Sequence, residues 1–378
     1  MDQHQQPKFV ISASEAESML HSLPQSHNNN LTHLLSSLVK PSLSLPRAPI
    51  SNFPVAAVGI GPSGRIFIGV NIEFPGLPLH HSIHAEQFLV TNLSLHSEPQ
   101  LLSFAVSAAP CGHCRQFLQE LPFAPDITLN ILDNTNTNTN TFTPLSHFLS
   151  HHFGPHDLLP KDTPLLLQHR HNNLTLITAT RDLSSPIDLT LNGFPSNPDS
   201  NSKFQSLDSG YSSTTPPTTN PNNNDNNDDK LLKVETLEAA TSNSNEGVNG
   251  YAAKDDSDSN KLLKEAALEA ANKSHAPYSG SPSGVALMDN EGKIYKGSYL
   301  ESAAYNPSLG PVQTALVAFV AGGGGGYDQI VEAVLVEKDG AIVKQEQTAR
   351  LLLHTISPNC HFSSFLCFTT TNQPININ

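Results

Sequence analysis

The sequence predicts an α/β protein in which helices cover a sheet and in which this unit occurs twice. The first observation behind this prediction is an alternation of strand and helix patterns between residues 53 and 132. The second is self-similarity at an offset of 228 residues: GRIF (64–67) aligns with GKIY (292–295), and the register holds without a gap from Ala48 to Val106. A register kept over that length indicates two copies of one fold.

Local patterns predict the elements of the first copy. Ser14 and Glu17 have the spacing of a capping box that opens a helix, and Leu31 to Val39 have the pattern of a second, apolar helix. Two β-branched runs flank GPSG (61–64), whose glycines and proline favour a turn. These two runs are the predicted strands Val55–Ile60 and Arg65–Ile72. Two further strands, Leu101–Ser107 and Ile127–Leu132, and two further helices, Ala85–Leu93 and Cys111–Glu120, are predicted after them.

Composition divides the chain into three parts. Residues 195–260 are rich in Ser, Asn, Asp, Thr and Pro and almost free of aromatics, so they cannot bury enough apolar surface to offset the entropy of ordering. We therefore predict a low-complexity linker there. It separates a predicted catalytic domain (20–185) from a degenerate second domain (261–368).

Charge and cysteine content narrow the class of protein. The formal net charge is -14, and no Lys/Arg cluster is present, which disfavours a nucleic-acid partner, although a local basic groove is compatible with a net-acidic chain. The chain has neither a secretory signal pattern nor a run of about 18 apolar residues, so we expect no membrane span. Four cysteines in so long a chain argue against a disulfide scaffold and favour a reducing compartment, the cytosol. Cys360 and Cys367 lie in what we expect to be an irregular tail, without a role.

Two motifs carry the chemistry. HAE (84–86) stands at the start of one predicted helix and PCGHC (110–114) at the start of the next. His84, Cys111 and Cys114 provide three zinc ligands, which leaves the fourth tetrahedral position for water, as in catalytic rather than structural zinc sites.

The spacing of these residues has a physical reason. Unpaired N–H groups at a helix N-terminus favour thiolate over thiol, so a Cys-x-x-Cys pair there can bind one metal ion with both sulfurs. Glu86 is two residues from a ligand and can reach the water without binding the metal, as a general base requires. A redox dithiol and half of a structural zinc site are the alternatives. No second cysteine pair lies nearby, and a redox pair would not require the His-x-Glu motif.

NIEF (71–74), HAEQ (84–87) and PCGHC (110–114) together resemble the cytidine deaminase family, most closely its two-domain plant members. The resemblance implies a three-layer α/β/α sandwich around a mixed five-stranded sheet, present twice in the chain. It also implies a homodimer with active sites near the subunit boundaries. A small nucleoside would be the substrate.

The resemblance also implies residue roles. His84, Cys111 and Cys114 would hold one Zn²⁺ per chain, in the first domain, and Glu86 would be the catalytic proton shuttle. Asn71, Ile72 and Glu73 form the substrate-binding segment, in which the amide and the carboxylate would hydrogen-bond the ribose hydroxyls. Phe53 would pack against the pyrimidine ring, or else be an ordinary core residue at the start of a strand.

The second copy has lost this chemistry. At the same offset its counterparts of His84, Glu86, Cys111 and Cys114 are Val312, Thr314, Asp339 and Ile342. On the predicted ribose side, Asn71 meets Tyr299, whereas the counterpart of Glu73, Glu301, is retained. We expect the second copy to have a structural role, completing a dimer and shaping the site, with an unrelated binding function as the alternative.

These observations predict hydrolytic deamination of cytidine and 2′-deoxycytidine to uridine and 2′-deoxyuridine, in pyrimidine salvage. One alternative is a non-catalytic, zinc-stabilised binding protein, against which the acidic Glu86 beside an open metal position argues. Another is a polynucleotide cytosine deaminase, which would need a positive channel and stacking aromatics, whereas this chain is acidic and has no Trp. A nucleotide substrate is disfavoured by the lack of a recognisable phosphate cradle.

Overall fold

Two sheets and nine helices make up the part of the chain that the computed structural model describes, residues 8–22, 31–132, 141–177 and 258–370. Most of the predicted linker lies outside these residues. The strands are β1 Val10–Ile11, β2 Ala56–Ile60, β3 Ile66–Val70, β4 Ser103–Val106, β5 Thr128–Ile131, β6 Thr143–Pro144, β7 Leu174–Leu176, β8 Ser283–Asp289, β9 Ile294–Ser298, β10 Ile330–Lys338 and β11 His361–Thr369. The helices are α1 Ala13–Ser22, α2 Leu31–Ser42, α3 Ala85–Leu95, α4 Gly112–Phe117, α5 Leu145–Phe148, α6 Pro155–Leu158, α7 Asp258–Asn272, α8 Pro311–Ala321 and α9 Glu346–Ile356.

The first sheet has the strand order β1-β3-β2-β4-β5-β6. It is mixed, because β4 and β5 run parallel while the other neighbouring strands are antiparallel. The predicted α/β class and mixed sheet are confirmed. The sheet has six strands rather than five, because the two-residue β1 pairs with the outer edge of β3. So short a strand leaves little pattern in the sequence.

The second sheet repeats this framework, with the order β7-β11-β10-β8-β9 and one parallel pair, β10 with β11. β8 and β9 fall where the offset of the first copy places β2 and β3, which confirms the duplication. The predicted irregular tail is wrong: Cys367 is buried in β11, a nine-residue strand between β7 and β10. The sequence HFSSFLCFT (361–369) lacks the regular alternation of apolar and polar residues that predicts a strand.

Helices cover both faces of the second sheet. Ala286 of β8 packs in a cluster with Leu263 of α7, whereas its neighbours Val285 and Leu287 belong to the core that contains Leu316 of α8. Successive side chains of a strand point to opposite faces, so α7 and α8 lie on opposite sides. The result is the predicted three-layer arrangement.

The two copies are joined into one compact unit. α3 of the first copy packs against α8 of the second. In addition β7, which precedes the predicted linker, pairs antiparallel with β11 and so belongs to the second sheet. The predicted catalytic domain (20–185) therefore supplies a strand to its neighbour. Within the described residues no helix is both long enough and apolar enough to cross a membrane.

A glycine sets the distance between α3 and the first sheet. A Cβ at Gly69 of β3 would lie 2.2 Å from the carbonyl oxygen of Ala85 and 2.4 Å from the backbone nitrogen of Leu89. Such distances are far below van der Waals contact, so only glycine lets the helix approach this closely. This contact fixes the first turn of α3, where HAE stands.

Candidate metal and substrate site

His84 is the residue immediately before α3, and its place is fixed by a buried glutamine. Its backbone N–H donates to Oε1 of Gln87, at 3.2 Å. The amide Nε2 of Gln87 in turn donates to the carbonyl of Pro307 in the second copy, at 3.0 Å. The second copy therefore contacts the helix start that presents the imidazole. Gln87 stands inside the HAEQ motif, but nothing in that motif predicts its contact with Pro307.

Cys111 stands in the same position before α4, and Cys114 lies one turn into that helix. Nδ1 of His84 is 3.5 Å from Sγ of Cys111 and 3.3 Å from Sγ of Cys114. Cys111 is exposed and Cys114 is buried. The structure thus brings together the three predicted ligands, which are separated by 27 and 30 positions in the chain.

This donor set fits zinc. The ligand atoms of His84, Cys111 and Cys114 all lie within 4.8 Å of one another. Ligands at 2.0–2.3 Å from a tetrahedral zinc ion lie roughly 3.5–3.8 Å apart, close to the observed spacing. Hydrogen bonds from Cys114 and His84 lower the pKa of the Cys111 thiol to about 3, which favours the thiolate form that binds zinc.

Glu86 projects toward the same point from the first turn of α3. Its side chain is 4% exposed, and Oε2 accepts a hydrogen bond from Sγ of Cys114 at 3.3 Å. Burial raises the pKa of this carboxyl group, as desolvation does for any acid. The carboxyl is therefore beside the ligand cluster without being one of its members.

A cavity of about 440 Å³ opens in front of this cluster. Its lining includes His84, Glu86 and Cys111 together with Phe53 and Glu73. Phe53 is 60% exposed, so it is not the ordinary core residue that was the alternative reading. The described residues that line the cavity include no Lys or Arg: Ser51, Phe53, Val55, Asn71, Glu73, Ser82, Ile83, His84, Ala85, Glu86, Ala108, Ala109 and Cys111.

Asn71 and Glu73 both reach the cavity, but their polar atoms already have partners. Oδ1 of Asn71 accepts the N–H of Val55 at 2.8 Å, and its Nδ2 donates to the carbonyl of Phe53 at 3.0 Å. Oε2 of Glu73 accepts the N–H groups of Ile50 and Ser51, at 2.8 and 2.9 Å. Burial would raise the pKa of Glu73, but hydrogen bonds from the hydroxyl of Ser51 and from these two N–H groups outweigh it and lower the pKa overall.

Ile72, predicted as part of the substrate-binding segment, is not brought to the cavity. Its side chain is fully buried, and its backbone exchanges two hydrogen bonds with Ile83, at 2.9 and 2.8 Å. Residues alternate between faces in extended chain, so the residue between Asn71 and Glu73 points away from both.

The described part of the second copy, residues 258–370, holds no equivalent cluster. Val312, the counterpart of His84, is buried in the core. The hydroxyl of Thr314, the counterpart of Glu86, donates to the carbonyl of Ser298 at 2.8 Å. Among the described residues the only group of His, Cys, Asp and Glu placed to hold a metal ion is the one in the first copy.

A buried carboxylate joins the two copies near the ligand helix. Glu120, at the end of the turn that follows α4, is fully buried. Its oxygens accept the hydroxyl of Tyr278 at 2.6 Å, the N–H of Ala303 at 2.7 Å and Nε2 of His275 at 3.3 Å. All three donors lie more than 150 positions away. No local signal in the sequence could have revealed this contact.

Fold and site together define a zinc-binding α/β protein with a catalytic type of metal site and one degenerate copy of the domain. Comparison with known proteins agrees. The profiles described as cytidine and deoxycytidylate deaminase zinc-binding regions match residues 34–127 and 213–350.

Relatives extend the similarity to nearly the whole chain. Cytidine deaminase 1 of Arabidopsis thaliana is 48% identical over 370 residues, which is 96% of this chain and 98% of the relative. Cytidine deaminase 7 of the same plant is 42% identical over 371 residues, covering 96% and 94%. The chain belongs to the cytidine deaminase family. A further relative at 35% identity over 370 residues, covering 98% and 99%, is named "Probable inactive cytidine deaminase 4", so membership alone does not establish turnover.

Proposed function

We propose that the protein catalyses the zinc-dependent hydrolytic deamination of cytidine and 2′-deoxycytidine, with release of ammonia. The observation that carries this proposal is the position of Glu86, a buried carboxyl group beside a three-ligand cluster and on the wall of a cavity. A site that only stabilised a fold would have no use for an acid at that place.

The residues divide the work as follows. His84, Cys111 and Cys114 would hold the zinc ion, which when bound would supply Lewis acidity toward a water molecule at neutral pH. Glu86 takes a proton from the attacking water and delivers protons to the ring nitrogen and to the departing amine at C4. One water molecule is consumed, a C4–O bond forms as the C4–N bond breaks, and the products are ammonia and uridine or 2′-deoxyuridine.

The character of the cavity supports a free nucleoside as substrate. Glu73 and Asn71 keep one or more hydrogen-bonding positions beyond those that their present partners use, so a carboxylate and an amide are available to sugar hydroxyls, and Phe53 offers an exposed aromatic face to the base. A phosphate would want Arg, Lys or a nest of backbone N–H groups, and the described lining has neither basic residue. The same absence argues against a polynucleotide substrate.

The net charge of -14 fits a protein without a nucleic-acid partner, and the proposed setting is pyrimidine salvage in the cytosol. The same proposal includes a homodimer. It places the catalytic domain at residues 20–185, the linker at 195–260 and the second domain at 261–368. The contacts of Gln87 and Glu120 with the second copy support a structural role for that copy.

The test is Glu86→Gln, which keeps the size of the side chain and removes its acid–base function. Zinc content, measured by atomic absorption, should equal that of the wild type, whereas the absorbance change on adding cytidine should fall by at least about 10³-fold. Glu98→Gln is the matched control, because Glu98 is another fully buried carboxylate of the first copy but pairs with Arg65 outside the cavity. Retained turnover in Glu86→Gln would refute the mechanism. If the wild type contains zinc but releases no ammonia, the result would favour a binding protein. If the wild type acts only on single-stranded DNA, the result would favour a polynucleotide deaminase.

A further inference from the structure

The loop that carries Phe53 is held by a serine that has no assigned role. The hydroxyl of Ser51 donates to Oε1 of Glu73 at 2.5 Å and accepts the backbone N–H of Phe53 at 3.1 Å. The backbone N–H groups of Ile50 and Ser51 both donate to the other oxygen of Glu73. One hydroxyl thus connects the carboxylate directly to the residue that faces the cavity.

Asn71 holds the same loop from its other side. Its Nδ2 donates to the carbonyl of Phe53, and its Oδ1 accepts from Val55. Both backbone polar groups of Phe53 are therefore bound, although its side chain is 60% exposed. Because the backbone of Phe53 is already fixed, less conformational entropy is lost when its exposed ring binds a ligand.

The second copy repeats this arrangement without the chemistry. Ser279 donates through its hydroxyl to Oε1 of Glu301 and accepts the N–H of Ser281 at 3.1 Å. Oε2 of Glu301 accepts the N–H groups of Tyr278 and Ser279, at 2.9 and 3.2 Å. Ser281 stands where the first copy has Phe53, so no aromatic ring is positioned there. Holding the loop is thus separable from metal binding and from turnover.

We propose that Ser51 is a positioning residue, which sets affinity for the pyrimidine ring by fixing the backbone of Phe53 against Glu73. This inference rests on the proposed function, since it concerns the substrate of that site. Glu73 can still accept a hydrogen bond from a sugar hydroxyl, because a carboxylate has about four acceptor positions and the loop uses three of them.

The experiment compares Ser51→Ala with Ser279→Ala, which removes the same hydroxyl from the equivalent loop of the second copy. Ser51→Ala should raise KM for cytidine about tenfold with kcat within twofold of the wild type, the pattern of lost uniform binding. Ser279→Ala should leave both constants unchanged. Ser51→Thr keeps the hydroxyl and should restore KM. Thermal unfolding of each variant shows that it is folded.

A double-mutant cycle identifies the route through Phe53. In a Phe53→Ala background, Ser51→Ala should change KM by less than twofold, because the ring that it positions is absent. Independent, multiplying effects of the two substitutions would overturn the proposal, and so would an unchanged KM in Ser51→Ala or an equal loss in Ser279→Ala. A wild type that does not turn over cytidine would instead overturn the proposed function, and this inference with it.

Discussion

The hydrogen bond between Tyr278 and Glu120 should be a measurable link between the two copies. Glu120 is fully buried and accepts three donors, all from the second copy. Tyr278→Phe removes the hydroxyl that lies 2.6 Å from Oε2 and adds no steric conflict. A hydrogen bond to a charged group contributes about 1.5–3 kcal/mol, so we expect the free energy of unfolding to fall by about 2 kcal/mol. For a protein of this size that is a decrease in Tm of roughly 3 °C.

The matched control is Tyr295→Phe. The hydroxyl of Tyr295 also donates to a carboxylate, Oδ2 of Asp289, at 2.7 Å, but both residues belong to the second copy. Both variants should lose similar stability, yet only Tyr278→Phe should couple to Glu120→Gln. Urea unfolding of single and double variants gives that coupling, which we expect to be about 1.5 kcal/mol for Tyr278 and below about 0.5 kcal/mol for Tyr295. Strictly additive effects of Tyr278→Phe and Glu120→Gln would refute the link.

Two further predictions follow from buried groups. Burial lowers the pKa of His275 to about 4, against the opposing effect of Glu120 and with the help of Arg170. Below pH 6.5 the unfolded chain therefore binds a proton at His275 that the folded chain does not bind. The contribution of this group to the free energy of unfolding is fully present above pH 6.5 and is lost as pH falls toward 4. We expect a loss of about 2 kcal/mol at pH 5 in urea titrations of the wild type and a smaller one in His275→Gln, and equal losses would contradict this assignment. Gly69→Ala should push α3 off the sheet at a cost of about 1–3 kcal/mol and weaken zinc retention against a chelator. Gly112→Ala, whose Cβ would meet nothing within 4 Å, should change stability by less than about 0.5 kcal/mol, and similar losses in the two variants would show that close approach at Gly69 is unimportant.

The candidate metal ligands could be predicted from sequence because local signals mark the two helix starts that present them. His84 and Cys111 directly precede helices that periodicity and flanking residues reveal, and the structure places both as helix caps. The duplicated framework was equally accessible, since β8 and β9 keep the spacing of β2 and β3. Short motifs and the periodicity of apolar residues can be recognised in the sequence without knowledge of long-range contacts.

What could not be predicted depends on partners far apart in the chain. The three donors to Glu120, the pairing of β7 with β11 and the contact of Gln87 with Pro307 have no signature in a window of residues. The case of Asn71 and Glu73 differs. Their residue types fit a sugar, but only the structure shows that the same atoms hold a loop.

The pairing of β7 with β11 means that the copies are no longer interchangeable modules. A fragment that ended shortly after Ile177 would carry β7 with an unpaired backbone, and the complementary fragment would have β11 as a bare sheet edge. Such edges recruit strands, so separately expressed fragments should reassemble with each other or aggregate. Loss of the degenerate copy in evolution would meet the same obstacle. The pairing of β7 with the second sheet is therefore a sufficient structural reason for a copy without metal ligands to persist.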